Sequence, residues 1–212
     1  CYYGDTSADG AVFDSCIGQT VGGINAAYVF AFQGTNPLTI RNCLAVGGRY
    51  GFAWLNSAAG TIYNCVATGA AELVYYSTAT GGTIDARNCI AYSNAANYNS
   101  PRWAATSTNT ASTGTDAPGA SPINSITSAH FVDATNKDFH LLEGSSLRDA
   151  GVNLYLTGMT FDIDGDERPS AGAWSVGYDQ YIVETIMPTL TDPTAAYITA
   201  TTAVPRVTVT YP

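Results

Sequence analysis

The sequence predicts an all-β fold, a parallel β-helix, and three of its features support this prediction. A short motif recurs at a spacing of 22 residues, apolar and aromatic residues keep that spacing outside the motif, and Gly pairs separate the apolar runs. A unit of this length cannot bury its own apolar face, so it must stack on its neighbours. Since no helical period is visible, we expect a solenoid with coils of about 22 residues, stacked at the strand spacing of a sheet, about 4.8 Å.

The recurring motif joins Thr-Ile to a later Asn-Cys pair and an aliphatic residue. It occupies 39–45 and 61–67, and a third copy at 83–91 contains Asp85 and Ala86 as a two-residue insertion. A degenerate copy begins at Val12. The same register relates two sets of residues outside the motif, Phe30, Phe52 and Val74, and Phe32, Trp54 and Tyr76. The Gly pairs at the turns are Gly22-Gly23, Gly47-Gly48 and Gly81-Gly82.

Stacking of equivalent residues predicts two ladders along the coils. Asn42, Asn64 and Asn88 would each stand at a bend, where Asn tolerates a left-handed backbone. Four cysteines would stack as buried, reduced thiols that act as small apolar fillers: Cys16, Cys43, Cys65 and Cys89. Metal binding is the alternative for these thiols, but the sequence places no Cys-x-x-Cys pair and no His near them.

The strand that follows each Asn is apolar on both faces. If side chains alternate, the Cys and Ala of the motif share one face, and Leu44, Val66 and Ile90 share the other. Strands of this kind are covered on both sides. We therefore expect the assembly wall, defined as Leu44, Val66 and Ile90, to be covered by residues 182–212 or by a neighbouring subunit.

Composition and charge exclude several classes of protein. Apolar residues make up 46% of the 212 residues, which excludes a wholly disordered chain. The net charge of −9 argues against nucleic-acid binding, which needs a basic patch. No apolar run of about 18 residues is present to span a membrane, and no signal peptide is visible. Because the chain begins with Cys1 instead of Met, we expect it to be processed or cut from a longer chain.

A different set of short motifs fills residues 126–181. They are Phe131-Val132-Asp133, Asp138-Phe139-His140-Leu141, Asp149-Ala150-Gly151, Asp162-Ile163-Asp164-Gly165-Asp166, Arg168-Pro169 and Val176-Gly177-Tyr178-Asp179. This segment resembles the closing segment of secreted right-handed parallel β-helix proteins of the "choice-of-anchor Q" kind, over about a quarter of the chain. It departs from that pattern at Ser146, where Pro is usual, and at Asp179-Gln180-Tyr181, where the acidic residue and Tyr are usually adjacent.

The resemblance implies a right-handed, extracellular β-helix with an irregular C-terminal cap. It does not fix a function, since fold alone never does; similar helices serve bacterial surface proteins, phage spikes and polysaccharide-cleaving enzymes. We expect one domain over 1–181, with stacked coils over 1–103, a long loop over 104–125 that is rich in small and polar residues, and the cap over 126–181. Residues 182–212 are predicted to be an extended Thr- and Pro-rich arm or linker.

Alternating carboxylates at Asp162, Asp164 and Asp166 are candidates for a calcium site, because calcium prefers hard oxygen ligands. The stretch lacks the full EF-hand pattern, since Gly165 comes one position early and Ala173 stands where a bidentate Glu would follow. The resemblance implies the alternative, a structural turn. Calcium is the one cofactor that the sequence suggests.

No residue is predicted to be catalytic. His140 could act as a general base, but we expect its ring to order a turn of the cap, and His130 has less support. A polysaccharide hydrolase would need paired carboxylates, and Glu72 and Asp85 have no acidic equivalent one coil away.

The aromatic residues of the repeat have two interpretations. Facing inward, they pack the core, an interpretation that the small flanking residues Ala31 and Ala53 favour. Facing outward, they provide a platform on which sugar rings stack. The candidate glycan-stacking residues are Tyr28, Tyr50, Trp54 and Tyr76.

These features together favour a non-enzymatic structural or adhesive protein of an extracellular assembly. Its expected partners are other protein subunits, and surface glycans are a further candidate. A phage virion component (a spike, fibre or capsid decoration) is favoured over a bacterial surface protein, because the arm and the assembly wall both suit assembly. The alternative is a carbohydrate-active β-helix enzyme, a polysaccharide lyase or glycoside hydrolase. Clustered carboxylates in a cleft would distinguish it.

Overall fold

The computed structural model describes residues 2–5, 11–20, 28–33, 37–55, 59–70, 73–77, 83–92, 96–99 and 102–182. They form an all-β structure, in which helix is limited to the 3-10 turns Ser128–His130 and Tyr155–Thr157. The chain divides into two units, Cys1–Tyr181 and Ile182–Pro212. The predicted C-terminal arm lies, after Ile182, outside the described residues. In the described part of the chain, no helix has the length and apolar character that a membrane span requires.

Parallel strands form three sheets. The first contains β1 (Tyr2–Asp5), β4 (Tyr28–Gln33), β7 (Tyr50–Leu55), β10 (Leu73–Ser77) and β13 (Ala96–Asn99). The second contains β2 (Ala11–Asp14), β5 (Leu38–Arg41), β8 (Gly60–Tyr63) and β11 (Ile84–Arg87). The third contains β3 (Ile17–Gln19), β6 (Leu44–Val46), β9 (Val66–Thr68), β12 (Ile90–Tyr92) and β14 (Ala111–Ser112). An antiparallel pair follows, β15 (Phe131–Asp133) and β16 (Asp138–Leu141).

The chain enters the three parallel sheets in turn, since β1, β2 and β3 belong to different sheets and β4 returns to the first. Three consecutive strands, one in each sheet, make up a repeat. Ile40 pairs with Ile62, and Leu44 pairs with Val66, which confirms the predicted spacing of 22 residues for these repeats. Aromatic and β-branched residues are frequent in the strands because they suit a pleated surface that is buried.

The extra residues of the next repeat fall between its strands. Leu73 pairs with Tyr50 and Ile84 pairs with Gly60, so one additional residue precedes β10 and a second precedes β11. The prediction that residues 85–86 are an insertion is therefore wrong, because both belong to the regular ladder of β11. Extra residues inside a strand would disrupt its hydrogen-bonded ladder, whereas a turn absorbs them.

The bend between the second and third sheets has a left-handed backbone. The φ angles of Asn42, Asn64 and Asn88 are 51°, 48° and 54°, which confirms the prediction for this ladder. The same bend recurs at Ser15 and at Asn109, with φ angles of 51° and 52°. Residues with short polar side chains tolerate this conformation better than others that carry a Cβ.

The segment 104–125, predicted to be a long loop, has little regular structure but joins two of the sheets. In this segment β14 pairs with β12 and extends the third sheet, and Thr108 forms a parallel bridge with Arg87 of the second sheet. Ser107 and Thr110 are fully buried, and their hydroxyls donate to the carbonyls of Ile84 and Pro118 at 3.3 and 2.6 Å. Because hydrogen-bonded polar residues fill inner positions here, the apolar alternation that would have predicted a strand is missing.

One buried cluster contains residues from all three sheets, among them Phe30, Phe52, Ile40, Ile62, Cys43, Cys65 and Cys89. The cysteines in it are free thiols, and Cys43, Cys65 and Cys89 have no exposed surface. Burial raises the pKa of Cys65, and it raises that of Cys89 to about 12. The structure thus confirms buried, reduced thiols at these three positions, whereas Cys16 is only half-buried.

The outer face of the third sheet is covered by the chain itself. Leu44, Val66 and Ile90 are 5%, 0% and 0% exposed. They share a cluster with residues of the cap, including Phe131, Phe139, Leu141, Leu147 and Val176. The prediction that the assembly wall is covered by residues 182–212 or by a neighbouring subunit is therefore wrong. Alternation predicted a covered face, but it carries no information on which segment covers it.

The Asn ladder fixes this cap in place. Each amide Nδ2 donates to a cap carbonyl: Asn42 to Phe161 at 2.9 Å, Asn64 to Gly177 at 2.7 Å, Asn88 to Val152 at 2.8 Å and Asn109 to Ala150 at 2.7 Å. The residues that bend the backbone therefore also hold the cap on the repeats.

Candidate functional site

The candidate site lies on the outer side of β16. Side chains alternate along a strand, and burial follows that alternation here: Phe139 and Leu141 are buried, whereas Asp138 and His140 are partly exposed. The two buried residues pack in the cluster beneath the cap. The apolar anchors of β16 thus set the position of His140 and present its ring, with Asp138, on the outer face.

The His140 ring lies between two carboxylates. Its Nδ1 is 2.5 Å from Oδ1 of Asp138, and its Nε2 is 2.8 Å from Oδ2 of Asp164. Burial favours the neutral ring, but the hydrogen bonds to Asp164 and Asp138 and the charge of Asp179 outweigh it, and the pKa of His140 rises from 6.5 to about 9. A ring that is protonated at neutral pH is a poor general base.

The turn after Phe161 presents Asp164 to this ring. Oδ1 of Asp162 accepts the backbone N–H groups of Asp164 and Asp166 at 3.0 and 2.9 Å, and its Oδ2 accepts that of Gln180 at 3.0 Å. Gly165 has a φ angle of 89°, which suits its place at the tip. Asp162 is 2% exposed and serves the turn.

The structure does not support the predicted calcium ligands as a set. Asp162 uses both carboxylate oxygens on the backbone, Asp164 bonds to His140, and the side chain of Asp166 is exposed. Alternation in sequence would bring three carboxylates to one ion only in a loop that wraps around it. Here the first carboxylate closes a tight turn instead, as the family resemblance implied.

Asp179 is the third member of the site. It is 8% exposed, and its Oδ2 accepts the backbone N–H of Leu141 at the long distance of 3.4 Å. Burial raises its pKa, and the charge of His140 opposes that shift. Donor atoms of His140, Asp164 and Asp179 all lie within 4.8 Å of one another. The cluster therefore joins β16, the 162–166 turn and the end of the cap.

Arg168 lies beneath this cluster with no exposed surface. Its Nη2 donates to Oδ1 of Asn42 at 3.1 Å and to the carbonyl of Tyr178 at 2.7 Å, and its Nη1 donates to Oε1 of Gln180 at 3.3 Å. Burial lowers its pKa to about 10, although the charges of Asp162 and Asp179 oppose the shift. The guanidinium remains charged at neutral pH and links the Asn ladder to the cap.

The predicted glycan-stacking residues do not form one platform. Tyr28 and Tyr50 stack with ring centroids 5.3 Å apart, but Trp54 is fully buried in the core. Tyr76 pairs with Ala53 and not with Trp54, and its side chain lies outside the description. The inward ladder continues instead from Phe52 to Tyr75 and Tyr98, with centroid distances of 5.5 and 4.7 Å.

Two described acidic residues of the repeats, Asp14 and Asp85, form ion pairs. Asp14 contacts Nε of Arg41 at 2.7 Å, and Asp85 contacts Nη2 of Arg87 at 2.8 Å. Glu72, which like Asp85 has no acidic equivalent one coil away in the sequence, lies outside the described residues. His130, the other histidine, has its pKa lowered by burial. The structure thus brings together His140 and Asp164, whereas Asp14 and Asp85 pair with arginines of the repeats.

Sequence reasoning missed Asp138 and Asp179 as partners of His140. The alternate spacing of Asp138 and His140 was a usable signal, since alternate residues of a strand share one face. Nothing local predicted Asp179, which reaches the site through the folding of the cap. Comparison with protein-family models, with curated proteins and with solved structures finds no match to this chain.

Proposed function

We propose that this chain is a right-handed parallel β-helix that serves as a non-enzymatic structural or adhesive component of an extracellular assembly. The in-register parallel sheets, entered in turn by the chain, support the β-helix. Its handedness rests on the family resemblance and on the strong preference of parallel crossovers for the right-handed form.

The observation that carries the non-enzymatic role is how the ionisable side chains of the cap are used. Asp162 closes a turn, Arg168 joins the cap to the Asn ladder, and His140 is held between two carboxylates. Each of these groups holds two parts of the chain together. Reactive groups used in this way strengthen a scaffold, as a load-carrying or adhesive part requires.

Because the cap covers the assembly wall, the assembly role is supported instead by exposed strand edges. Strands β2 and β3 are the edges of their sheets, and Val12 and Ile17 on them are 53% and 68% exposed. Exposed parallel edges favour pairing with further chain or with another subunit. A virion component is preferred over a bacterial surface protein because of the predicted arm.

A native-mass measurement together with an activity screen tests the proposal. The chain is expected to associate with itself or with a partner of the assembly, and to release neither reducing ends nor unsaturated sugars from a panel of anionic and neutral polysaccharides. A strictly monomeric chain that also cleaves a polysaccharide would overturn the proposal.

One observation favours the alternative, a carbohydrate-active enzyme. Carboxylate oxygens of Asp164 and Asp179 lie within 4.8 Å of each other, and burial raises the pKa of Asp179, as the general acid of a retaining glycosidase requires. If the screen finds activity, Asp164→Asn and Asp179→Asn should abolish it, whereas Asp133→Asn in the exposed turn of the same cap should retain it. Activity that survives both site variants would place the chemistry elsewhere.

A further inference from the structure

We propose that His140, Asp164 and Asp179 bind a divalent first-row transition metal of the Zn²⁺ type. One imidazole nitrogen and two carboxylate oxygens lie within 4.8 Å of one another. Zinc takes such ligands at about 2.0–2.2 Å, which places neighbouring ligand atoms about 3.3 Å apart in a tetrahedral site. Small side-chain movements would therefore close the three donors around one ion.

The donor set selects the class of metal. Calcium and magnesium prefer sites made of oxygen ligands, whereas imidazole together with carboxylate suits zinc and its neighbours in the first transition row. The predicted calcium site used only aspartates, of which Asp164 alone belongs to the present site. The two sites therefore differ in the metal and in two of the three ligands. The His140 and Asp164 side chains are 40% and 51% exposed, which leaves an open side where water can complete the coordination.

The surrounding residues orient the ligands before any ion arrives. In histidines that bind metals, the ring nitrogen that does not bind the metal generally donates its N–H to a carboxylate, a backbone carbonyl or water. This hydrogen bond fixes the ring orientation and its tautomer. Asp138 occupies that place at 2.5 Å from Nδ1 and leaves Nε2 directed at Asp164. Asp162 holds the backbone of Asp164 in its turn.

Asp179 supplies an independent observation. It is a carboxylate buried to more than nine tenths whose hydrogen bond to the N–H of Leu141 is long, at 3.4 Å. The nearby charges of His140 and Arg168 offset part of the cost of burying this carboxylate, and a cation bound directly to it would offset more. The ion would replace the proton shared by Nε2 and Asp164, and it would satisfy Asp179 at the same time.

The ligands come from β16, from the 162–166 turn and from the end of the cap, so the ion would cross-link the cap. Ligand binding to the folded state alone stabilises that state by mass action. The metal is therefore expected to raise the melting temperature of the chain, and to slow hydrogen exchange in the cap more than in the repeats.

Titration calorimetry of untagged, chelator-treated protein with ZnCl₂ and with CaCl₂ tests the proposal. We expect one equivalent of Zn²⁺ to bind, with binding at least about tenfold weaker in His140→Gln, Asp164→Asn and Asp179→Asn. The matched control is Asp166→Asn, an exposed carboxylate of the same turn, which should change the affinity by less than about twofold. Calcium binding that is lost in Asp166→Asn would restore the site predicted from the sequence and overturn this one.

A measurement on the unaltered protein removes any dependence on the folding of the variants. The chain has two histidines. The His130→Gln variant is used only to assign the ring nitrogen resonances, and the metal titration itself is made on the unaltered protein. Zn²⁺ should shift Nε2 of His140 and leave His130 unchanged. An unchanged His140 spectrum in the presence of excess Zn²⁺ would overturn the proposal, as would zinc binding that is equal in the protein and all three ligand variants.

Discussion

At the scale of the residue, one Asn in each repeat has two physical roles. Its backbone adopts a left-handed conformation, and its amide donates to a carbonyl of the cap. The first role was predictable, because Asn is among the few residues that tolerate this backbone. The second was not, because the acceptors lie more than 60 residues away in sequence and no local pattern marks them.

Asn64 allows the two roles to be separated. Asn64→Gly keeps the left-handed bend but leaves the carbonyls of Ser175 and Gly177 without their amide donor, so we expect a loss of about 2–3 kcal/mol in unfolding free energy. Asn64→Ala also strains the bend and should cost about 1 kcal/mol more. Urea denaturation of both variants measures the difference. Equal stability of the two would contradict the role of the left-handed backbone.

The raised pKa of His140 predicts that the unfolding free energy of the metal-free protein depends on pH. Its pKa rises from 6.5 to about 9 on folding, so the folded state binds the proton more tightly than the unfolded state. This contribution is fully present below pH 6.5 and is lost as the pH rises through 9. Because the side chain is 40% exposed, solvent screening reduces the loss to about 1 kcal/mol.

The measurement is urea denaturation at a series of pH values with a chelator present. The His140→Gln variant serves as the control, because it cannot titrate in this range. Its stability should vary less than that of the natural chain between neutral and alkaline pH. If the two curves run parallel, the ion pairs of His140 contribute nothing to stability.

At the scale of the element, the strands β6, β9 and β12 of the third sheet are buried on both faces. Thiols and alanines face the inner cluster, and Leu44, Val66 and Ile90 face the cap. Periodicity predicted this burial for β6, β9 and β12. It could not identify the covering segment, because burial on one strand is compatible with any apolar partner. The cap was recognised in the sequence by its short motifs, not by an apolar periodicity. The sequence therefore did not indicate which cap residues form the apolar face that packs against the assembly wall.

Val66→Asp should release the cap. Val66 has no exposed surface and lies in the cluster between the third sheet and the cap, so a carboxylate there would be desolvated without a partner. We expect a loss of about 4 kcal/mol or more, and faster hydrogen exchange in residues 126–181 than in 37–70. The matched control is Val132→Asp, since Val132 is 54% exposed on the cap itself. A cap that remains protected in Val66→Asp would contradict this account of its docking.

At the scale of the whole molecule, the regular part was predictable and the irregular part was not. A repeating motif predicts the spacing of 22 residues from β5 to β8 and from β6 to β9. It does so because each repeat meets the same environment as its neighbour. The segment 104–125 and the docking of the cap depend on contacts made once, such as those of Ser107 with Ile84 and Arg168 with Asn42. A pattern that occurs once has no register from which its position can be inferred.

The division of the chain at Tyr181 gives a prediction for the whole molecule. Residues 182–212 form a unit of their own, and the described residues of the inner cluster and of the cluster under the cap belong to the first unit. A chain that ends at Tyr181 should therefore keep the melting temperature of the full chain within about 2 °C. If residues 182–212 are an arm that joins subunits, as the sequence predicts, the shortened chain should also lose its association in native mass measurements. The same oligomeric state for the shortened and the full chain would show that the arm does not join subunits. The exposed edges at Val12 and Ile17 would then be the candidate contacts. A large fall in melting temperature on shortening would instead mean that the arm belongs to the fold.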